Sequence, residues 1–273
     1  MSARNPSLGL TPDWVASPLA GQPRGKRAFL LDLLSTFYAA GVPRNQWILA
    51  ATAGGMAVPW MLASVLPFPL WLFMAAVAIM ATLFTMQFYW QVLQLTATGE
   101  DEMPWVESNW GWWDDVFRPL LIMLLLSFLC GLPASIAQAY LPPGVEYREG
   151  LVWAARVVGF MFFPVGVMSV AIGGSIWYLR PDLLARCIVA IGPVYLLPCA
   201  VIVMAMVAAR AALDLWVQAN ALVGQGGFIA VKLLGLFGPV VMFMVIVYLG
   251  YVAFRTMGLL YRHFHERFPW HFD

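Results

Sequence analysis

The longest segment with almost no charge, residues 151–179, restricts the class of fold that this chain can adopt. Its 29 residues contain one charged side chain, that of Arg156. A transmembrane helix needs about 20 mostly apolar residues to cross roughly 30 Å of hydrocarbon. As one straight helix the segment would be longer than roughly 40 Å, which exceeds the thickness of the bilayer core. We therefore expect a membrane-spanning helix that tilts or bends.

The residues within this segment predict where it bends. Pro164 removes one backbone hydrogen bond from a helix, and Gly166, Gly173 and Gly174 weaken the same helix. Neighbouring helices and local adjustments make such residues tolerable in a membrane span. The sequence therefore predicts a kink in this span.

The composition agrees with a membrane protein. Apolar residues make up 62% of the 273 residues and charged residues 11%, whereas soluble domains are about half apolar and about a quarter charged. The net charge of +1 gives no positive field for nucleic acid, so we expect no nucleic-acid partner. Cys130, Cys187 and Cys199 fit neither a disulfide framework nor a zinc site, and we interpret them as small core residues.

The apolar segments predict an all-α integral membrane bundle over residues 46–255, with about six transmembrane helices. The expected spans are 46–66, 69–95, 119–140, 151–179, 186–211 and 233–254. Before them, residues 1–25 lack an apolar core and predict a flexible cytoplasmic tail. Residues 26–44 have the pattern of an amphipathic helix that lies in the membrane interface or packs under the bundle. We expect an interfacial excursion over 212–232 and a cytoplasmic aromatic and basic tail over 256–273.

The distribution of Lys and Arg predicts the orientation of the chain. With six spans, eleven of these residues lie on the side of the two termini and four lie on the other side. The four are Arg148, Arg156, Arg210 and Lys232. Because cytoplasmic loops carry an excess of Lys and Arg, we expect a multi-pass protein of the cell (inner) membrane with both termini in the cytoplasm.

Three glutamines, Gln87, Gln91 and Gln94, form a polar stripe on the second expected span, which we call the Gln stripe. Their i, i+4, i+7 spacing places them on one helix face. An amide that faces lipid lacks hydrogen-bond partners at a cost of several kcal/mol, so the stripe must face protein or water. One interpretation is a polar crevice open to the cytoplasm. The other is a set of interhelical hydrogen bonds that hold the bundle together.

The connection after this span, residues 100–115, is rich in acidic and Trp residues, and we call it the acidic-Trp loop. These residues are Glu100, Asp101, Glu102, Trp105, Glu107, Trp110, Trp112, Trp113, Asp114 and Asp115. Indole rings commonly anchor a chain at the membrane interface. The acidic groups need basic partners, because the cytoplasmic lipid surface is itself negative. The loop therefore predicts either a contact site for a partner or, as an alternative, a divalent-cation site.

No pattern in the spans predicts an enzyme. Intramembrane catalysis needs paired polar groups such as Ser with His, or two Asp, and the spans contain no such pair. His263 and His265 point to different faces of a continuing helix, so we predict no metal site there. We expect no cofactor. The favoured interpretation is a non-enzymatic scaffold or accessory subunit that binds a membrane-protein partner, or a second copy, through the acidic-Trp loop. The alternative is a small transporter or channel that uses the kinked span and the Gln stripe.

Several segments resemble a known group of proteins. These are FLLDLLSTFYAAG, YWQVLQLTATGEDEMPW, WDDVFRPLL, FPVGVMSVAIGGSIWYLRPDLL followed by VYLLP, and FRTMGLLYRHFHERFPW. Together they resemble the bacterial and archaeal polytopic membrane family known as domain of unknown function 4013, which is loosely similar to Yip1-type proteins. The resemblance covers residues 28–270, and its most specific part is GEDEMPW. It implies a helical membrane fold and assigns no catalytic residue. The N-terminal zinc ribbon of many relatives is absent, since the chain contains no CxxC.

Overall fold

The computed structural model describes residues 26–39, 42–63, 70–100, 103–104, 111–142, 147–224 and 229–268. Within these ranges there are eight α-helices and no strand, so the predicted all-α class is confirmed. The helices are α1 (Lys26–Ala39), α2 (Pro43–Ala63), α3 (Leu70–Thr98), α4 (Arg118–Tyr140), α5 (Arg148–Gly173), α6 (Pro181–Ile191), α7 (Leu196–Gly224) and α8 (Ile229–Phe264). The expected tail over residues 1–25 lies outside the described residues.

Five segments of the described chain are long and apolar enough to cross a membrane, so the protein is a multi-pass membrane protein. They are Leu72–Thr98, Arg118–Tyr140, Arg148–Gly173, Pro181–Ala211 and Gly238–Arg267. The count is close to the six that we expected. The remaining expected span, 46–66, corresponds to α2, which begins with the polar residues Arg44, Asn45 and Gln46.

Helix α5 is shorter than the expected span 151–179, because a glycine ends it. Gly174 adopts a left-handed conformation with φ 70°, and its N–H donates to the carbonyl of Val170 at 2.9 Å. A left-handed glycine is a common way to end a helix, since it has no Cβ to clash. The Arg118 guanidinium at the start of α4 donates to the Gly174 carbonyl. The chain then forms a short 3-10 helix, Ile176–Leu179, before α6.

A tyrosine hydroxyl is inserted into α5 next to Pro164. The Val165 N–H donates to Tyr195 Oη at 3.2 Å, and this hydroxyl donates to the Met161 carbonyl. In an unbroken helix the N–H of residue 165 would donate directly to the carbonyl of residue 161. Insertion of a side chain into this ladder is, together with proline, a recognised cause of helix kinks. These contacts at Pro164 favour the bend, which stays a prediction.

The segment after α5 differs from the expected span 186–211. Gly192, with φ 71°, separates α6 from α7, and a short 3-10 helix, Gly192–Tyr195, joins them. Helix α7 then continues to Gly224 through most of the expected interfacial excursion 212–232. An ion pair of i, i+4 spacing supports this continuation, since Arg210 Nη2 and Asp214 Oδ1 lie 3.1 Å apart.

Helix α8 forms the centre of the bundle, and its C-terminal part corrects the prediction of a tail from residue 256. The helix continues to Phe264, and Met257, Leu259 and Leu260 are fully buried. The reason is that α1, α2 and α3 all pack against α8. Close contact with α3 depends on Gly258, where an added Cβ would lie 2.8 Å from the Leu93 carbonyl oxygen.

Helix α1 packs with one face on the end of α8. The Phe29 ring is fully buried and meets the His263 and Phe264 rings edge-on, at 6.1 and 5.8 Å between centroids. Asp32 Oδ2 lies 2.8 Å from His263 Nε2. The opposite face exposes apolar side chains such as Leu31, which is 60% exposed. Such a two-sided helix has the composition of an element that lies between the bundle and lipid.

Candidate functional site

A half-open cavity of about 520 Å³ lies between α2 and α3. Its lining residues are Ile48, Ala51, Thr52 and Gly55 from α2, Ala81, Phe84, Thr85, Gln87, Phe88 and Gln91 from α3, and Pro104. Most of these side chains are apolar, and none of them is charged. A mostly apolar pocket with a few polar groups is the usual form of a small-molecule site.

Gln87 is a lining residue whose side-chain amide has no hydrogen-bond partner among the described residues. The residue is among those that line the cavity, and it is 4% exposed. The amide nitrogen and the amide oxygen are both buried, and neither has a hydrogen-bond partner among the described residues. Burial of an amide without a partner costs about 1 to 3 kcal/mol in proteins. The Gln87 amide is therefore a buried polar group whose hydrogen-bonding capacity the described residues leave unused.

Two threonines add further polar character to the cavity wall. The hydroxyl of Thr52 donates to the Ile48 carbonyl at 2.8 Å, and that of Thr85 donates to the Ala81 carbonyl at 2.8 Å. Each hydroxyl has thereby used its one proton and retains acceptor capacity. Gln91 is half-buried and lies one helical turn beyond Gln87. The lining residues with polar side chains are thus two glutamines and two threonines.

The third member of the Gln stripe has a different role. Gln94 Nε2 donates to the Ala171 carbonyl at 2.8 Å. Ala171 lies in the last turn of α5, where carbonyls have no partner within the helix. Gln94 therefore satisfies one of these carbonyls and joins α3 to α5. The structure divides the Gln stripe into two residues that line a cavity and one that links two helices.

The beginning of the acidic-Trp loop forms part of the cavity wall. Pro104 lines the cavity, and the neighbouring Met103 is 3% exposed. Glu100 is exposed, whereas Asp101, Glu102, Trp105, Glu107 and Trp110 lie outside the described residues. The sequence did not predict that the Gln stripe and the acidic-Trp loop would line the same cavity.

The rest of the loop enters a π-helix, Trp112–Phe117. Trp112 and Trp113 are 51% and 64% exposed. The Trp112 ring lies 6.2 Å from that of Phe84, a residue of the cavity wall. Asp114 and Asp115 belong to this helix by their backbone, and their side chains are outside what the structure describes. In the described ranges no group of three or more His, Cys, Asp or Glu residues is placed to hold a metal ion.

The residues of the predicted kink lie away from the cavity. Pro164, Gly166 and Gly173 are buried within α5, and Gly174 follows at its end. A Cβ at Gly166 would lie 2.6 Å from Leu126 of α4, and a Cβ at Gly173 would lie 2.7 Å from the Tyr178 ring. These glycines therefore permit close packing around α5, and none of them lines the cavity.

The α2 side of the cavity was not singled out in the sequence. Ala51, Thr52 and Gly55 are small residues on one face of α2. Their i, i+1, i+4 spacing is a signal that a shallow helix face exists, although it does not show which helix lies opposite. A cavity results where this face meets Phe84 and Gln87.

No family model, curated protein or solved structure matches this chain. The resemblance to domain of unknown function 4013 therefore stays a prediction.

Proposed function

We propose that this multi-pass membrane protein is a small transporter whose substrate binds in the cavity between α2 and α3. The observation that carries the proposal is Gln87, with two buried amide atoms that have no partner among the described residues. A polar group inside a membrane span is costly, and its usual explanation is a substrate path or a contact between helices. Since Gln87 makes no such helix contact in the described chain, the substrate path is the better explanation.

The depth of Gln87 supports this proposal. It lies eleven residues before Thr98, the last residue of the span Leu72–Thr98. At the helical rise per residue this is roughly 16 Å from the end of the span. Substrate sites of secondary transporters commonly lie near the middle of the bilayer. Gln87 has the depth that such a site requires.

Two interruptions in neighbouring helices are also typical of transporters. The span Pro181–Ala211 is interrupted at Gly192, and α5 contains Pro164 with the Tyr195 hydroxyl inserted beside it. Discontinuous helices are a common feature of secondary transporters. Gln94 joins α3 to α5, so a bend in α5 has a direct connection to the helix that carries Gln87.

The proposal is tested by the access of water to the cavity. We expect the variant Ala81→Cys, in a membrane, to react with a charged methanethiosulfonate reagent. The control Ile79→Cys lies on the same helix at a position that is 62% exposed outside the cavity. There the thiol would face hydrocarbon, so it should not react. The unsubstituted protein gives the background from Cys130, Cys187 and Cys199. Equal reactivity of Ala81→Cys and Ile79→Cys would contradict a solute path.

A second proposal is a scaffold that binds a membrane-protein partner through the acidic-Trp loop. The exposed indole rings of Trp112 and Trp113 support it, because exposed aromatic side chains are frequent anchors in interfaces. Affinity purification in a mild detergent tests it. A stoichiometric partner that is lost in the double variant Trp112→Ala, Trp113→Ala would support the scaffold, whereas purification without a partner would count against it.

A further inference from the structure

We propose that Arg156 and Trp153 of α5 bind the phosphate group of a membrane phospholipid. Neither residue lines the cavity between α2 and α3, so this proposal goes beyond the proposed function and does not depend on it. Three observations support it: Arg156 lacks an acidic partner in the described chain, it lies on an exposed apolar surface, and its side chain points toward the nearer end of the span.

Arg156 differs from the two other described arginines that we expect on the same side of the membrane. Arg148 donates to a backbone carbonyl of α4 at 2.9 Å, and Arg210 Nη2 lies 3.1 Å from Asp214 Oδ1. Arg156 has neither an acidic partner nor a hydrogen-bond acceptor among the described residues, and its guanidinium contacts the Trp153 ring. A guanidinium has five N–H donors and keeps its charge in proteins. A partner for this charge and these donors therefore has to come from outside the described chain.

Helix α5 carries Arg156 on an exposed apolar surface. Arg156 is itself exposed, and its neighbours Trp153 and Val157 are 62% and 55% exposed. In a membrane-spanning helix, exposed apolar side chains of this kind contact lipid. Arg156 lies eight residues after Arg148, the first residue of α5, or roughly 12 Å along the helix. An unpaired charge at this depth costs several kcal/mol, and a long side chain lowers that cost by extending toward the headgroups.

The Arg156 side chain points toward the nearer membrane surface. Helical side chains point toward the N-terminus of their helix, and the N-terminus of α5 is the end that follows α4. The Arg156 Cζ lies 5.1 Å from the centroid of the Trp153 ring, which belongs to a residue three positions nearer to that end. Trp rings are frequent at the level of the lipid headgroups. The guanidinium therefore extends toward the depth of the phospholipid phosphates, which are anions.

The arrangement offers the donors and the apolar surface that a phospholipid requires. A planar guanidinium presents parallel N–H groups that fit two oxygens of a phosphate. The cation–π contact with Trp153 uses the face of the guanidinium and leaves the N–H groups at its edge available. Val157 and the half-buried Phe160 follow on the deeper side of Arg156 and supply an apolar surface for acyl chains. A free phosphate ion cannot use that surface, so a phospholipid is the occupant that fits both parts.

The proposal is tested by photo-crosslinking of the full chain in micelles of an uncharged detergent, where the probe supplies the lipid phosphate. Two probes carry a diazirine on the same carbon of the same acyl chain: phosphatidylglycerol and the corresponding diacylglycerol, which has no phosphate. Labelling of residues 148–160 is divided by labelling of residues 124–129 in α4, where Leu124 and Phe128 are exposed and no residue is charged. We expect this ratio to be about fivefold higher for phosphatidylglycerol, which corresponds to about 1 kcal/mol of binding free energy.

Three variants separate the site from a general effect of positive charge. Arg156→Leu should make the ratio equal for the two probes, because the guanidinium is lost while the apolar surface remains. Arg210→Leu is the matched control, since it removes the same charge from a residue that is already paired with Asp214, and it should keep the preference. Trp153→Leu should reduce the preference, because the guanidinium loses its cation–π contact. A preference that persists in Arg156→Leu, or one that is lost equally in Arg210→Leu, would overturn the proposal.

Further outcomes distinguish a phospholipid from other occupants of this surface. An excess of inorganic phosphate, compared with sodium chloride at equal ionic strength, should leave the preference unchanged. A specific loss with phosphate would indicate an anion taken from water and would contradict the proposal. Equal labelling by both probes in the unsubstituted protein would do the same. Native mass spectrometry reports a second copy as the occupant, and a dimer that dissociates in Arg156→Leu would also overturn the assignment to lipid.

Discussion

Gln87 and Gln94 are chemically identical and lie two helical turns apart on α3, yet their surroundings differ. The amide of Gln94 donates to the Ala171 carbonyl at 2.8 Å, whereas both polar atoms of Gln87 are without a partner among the described residues. Removal of a satisfied polar group costs free energy because its partner is left unpaired. Removal of an unsatisfied buried polar group relieves the free-energy cost of its burial.

The two residues should therefore respond with opposite sign to the same substitution. We expect Gln87→Leu to raise the free energy of unfolding of the ligand-free protein in detergent by about 1 to 2 kcal/mol. Gln94→Leu should lower it by about 1 kcal/mol, because the Ala171 carbonyl loses its partner. Both changes keep a side chain of similar size. Unfolding by titration with SDS, followed by Trp fluorescence, measures the difference, and shifts of the same sign would contradict the assignment.

The sequence predicted that all three residues of the Gln stripe avoid lipid. It did not predict which of them line a cavity and which one bonds to another helix. Spacing alone places Gln87, Gln91 and Gln94 on one helix face, and the cost of an unpaired amide keeps that face away from lipid. Whether an amide meets a carbonyl or a cavity depends on how the facing helices pack, and the spacing of residues within α3 does not contain that information. Thr52 and Pro104 carried no signal for the same reason.

At the scale of helices, α4 and α5 approach each other closely at Gly159. A Cβ built at this residue would overlap the carbonyl oxygen of Cys130 on α4. That oxygen belongs to the backbone and can move only if the helix moves. Gly131 lies next to Cys130 on the same helix, and a Cβ there would meet nothing within 4 Å.

These two glycines give a matched pair of substitutions. We expect Gly159→Ala to lower the free energy of unfolding by about 1 to 3 kcal/mol, because overpacking forces the helices apart. Gly131→Ala should be neutral or should stabilise by up to about 1 kcal/mol, since Ala favours a helix more than Gly. The same unfolding measurement in detergent tests both. A Gly159→Ala variant as stable as Gly131→Ala would show that the α4–α5 contact is looser than the structure indicates.

Hydrophobic periodicity predicted the helices well and their ends less well. Gly174 was expected to weaken one long span, and it ends α5 instead. By contrast, the residues after 255 have the composition of an interfacial tail, yet His263 and Phe264 among them are buried, because α1 covers them through Phe29 and Asp32. The contact joins residues more than 200 positions apart, so no local pattern reveals it.

At the scale of the whole molecule, α2 decides how many times the chain crosses the membrane. It is 21 residues long, or roughly 31 Å at the helical rise per residue, close to the thickness of the bilayer core. It packs against α3 and α8 and buries Ile48, Leu49 and Ala53. It is not among the five strongly apolar spans. A helix that faces a cavity on one side and protein on another needs less apolar surface than one surrounded by lipid. We therefore expect α2 to cross.

Six crossings place both termini on one side, whereas five place them on opposite sides. Single added cysteines, labelled with a membrane-impermeant maleimide and compared with the unsubstituted protein, test the arrangement. We expect Ser2→Cys and Asp273→Cys to react only after the cell membrane is permeabilised, because the excess of Lys and Arg puts the termini in the cytoplasm. Tyr147→Cys, at an exposed position between α4 and α5, should react in intact spheroplasts. If α2 lies in the interface instead, Ser2→Cys would react together with Tyr147→Cys while Asp273→Cys stays protected. That result would open the cavity between α2 and α3 to the membrane surface and remove the depth on which a transport site at Gln87 depends.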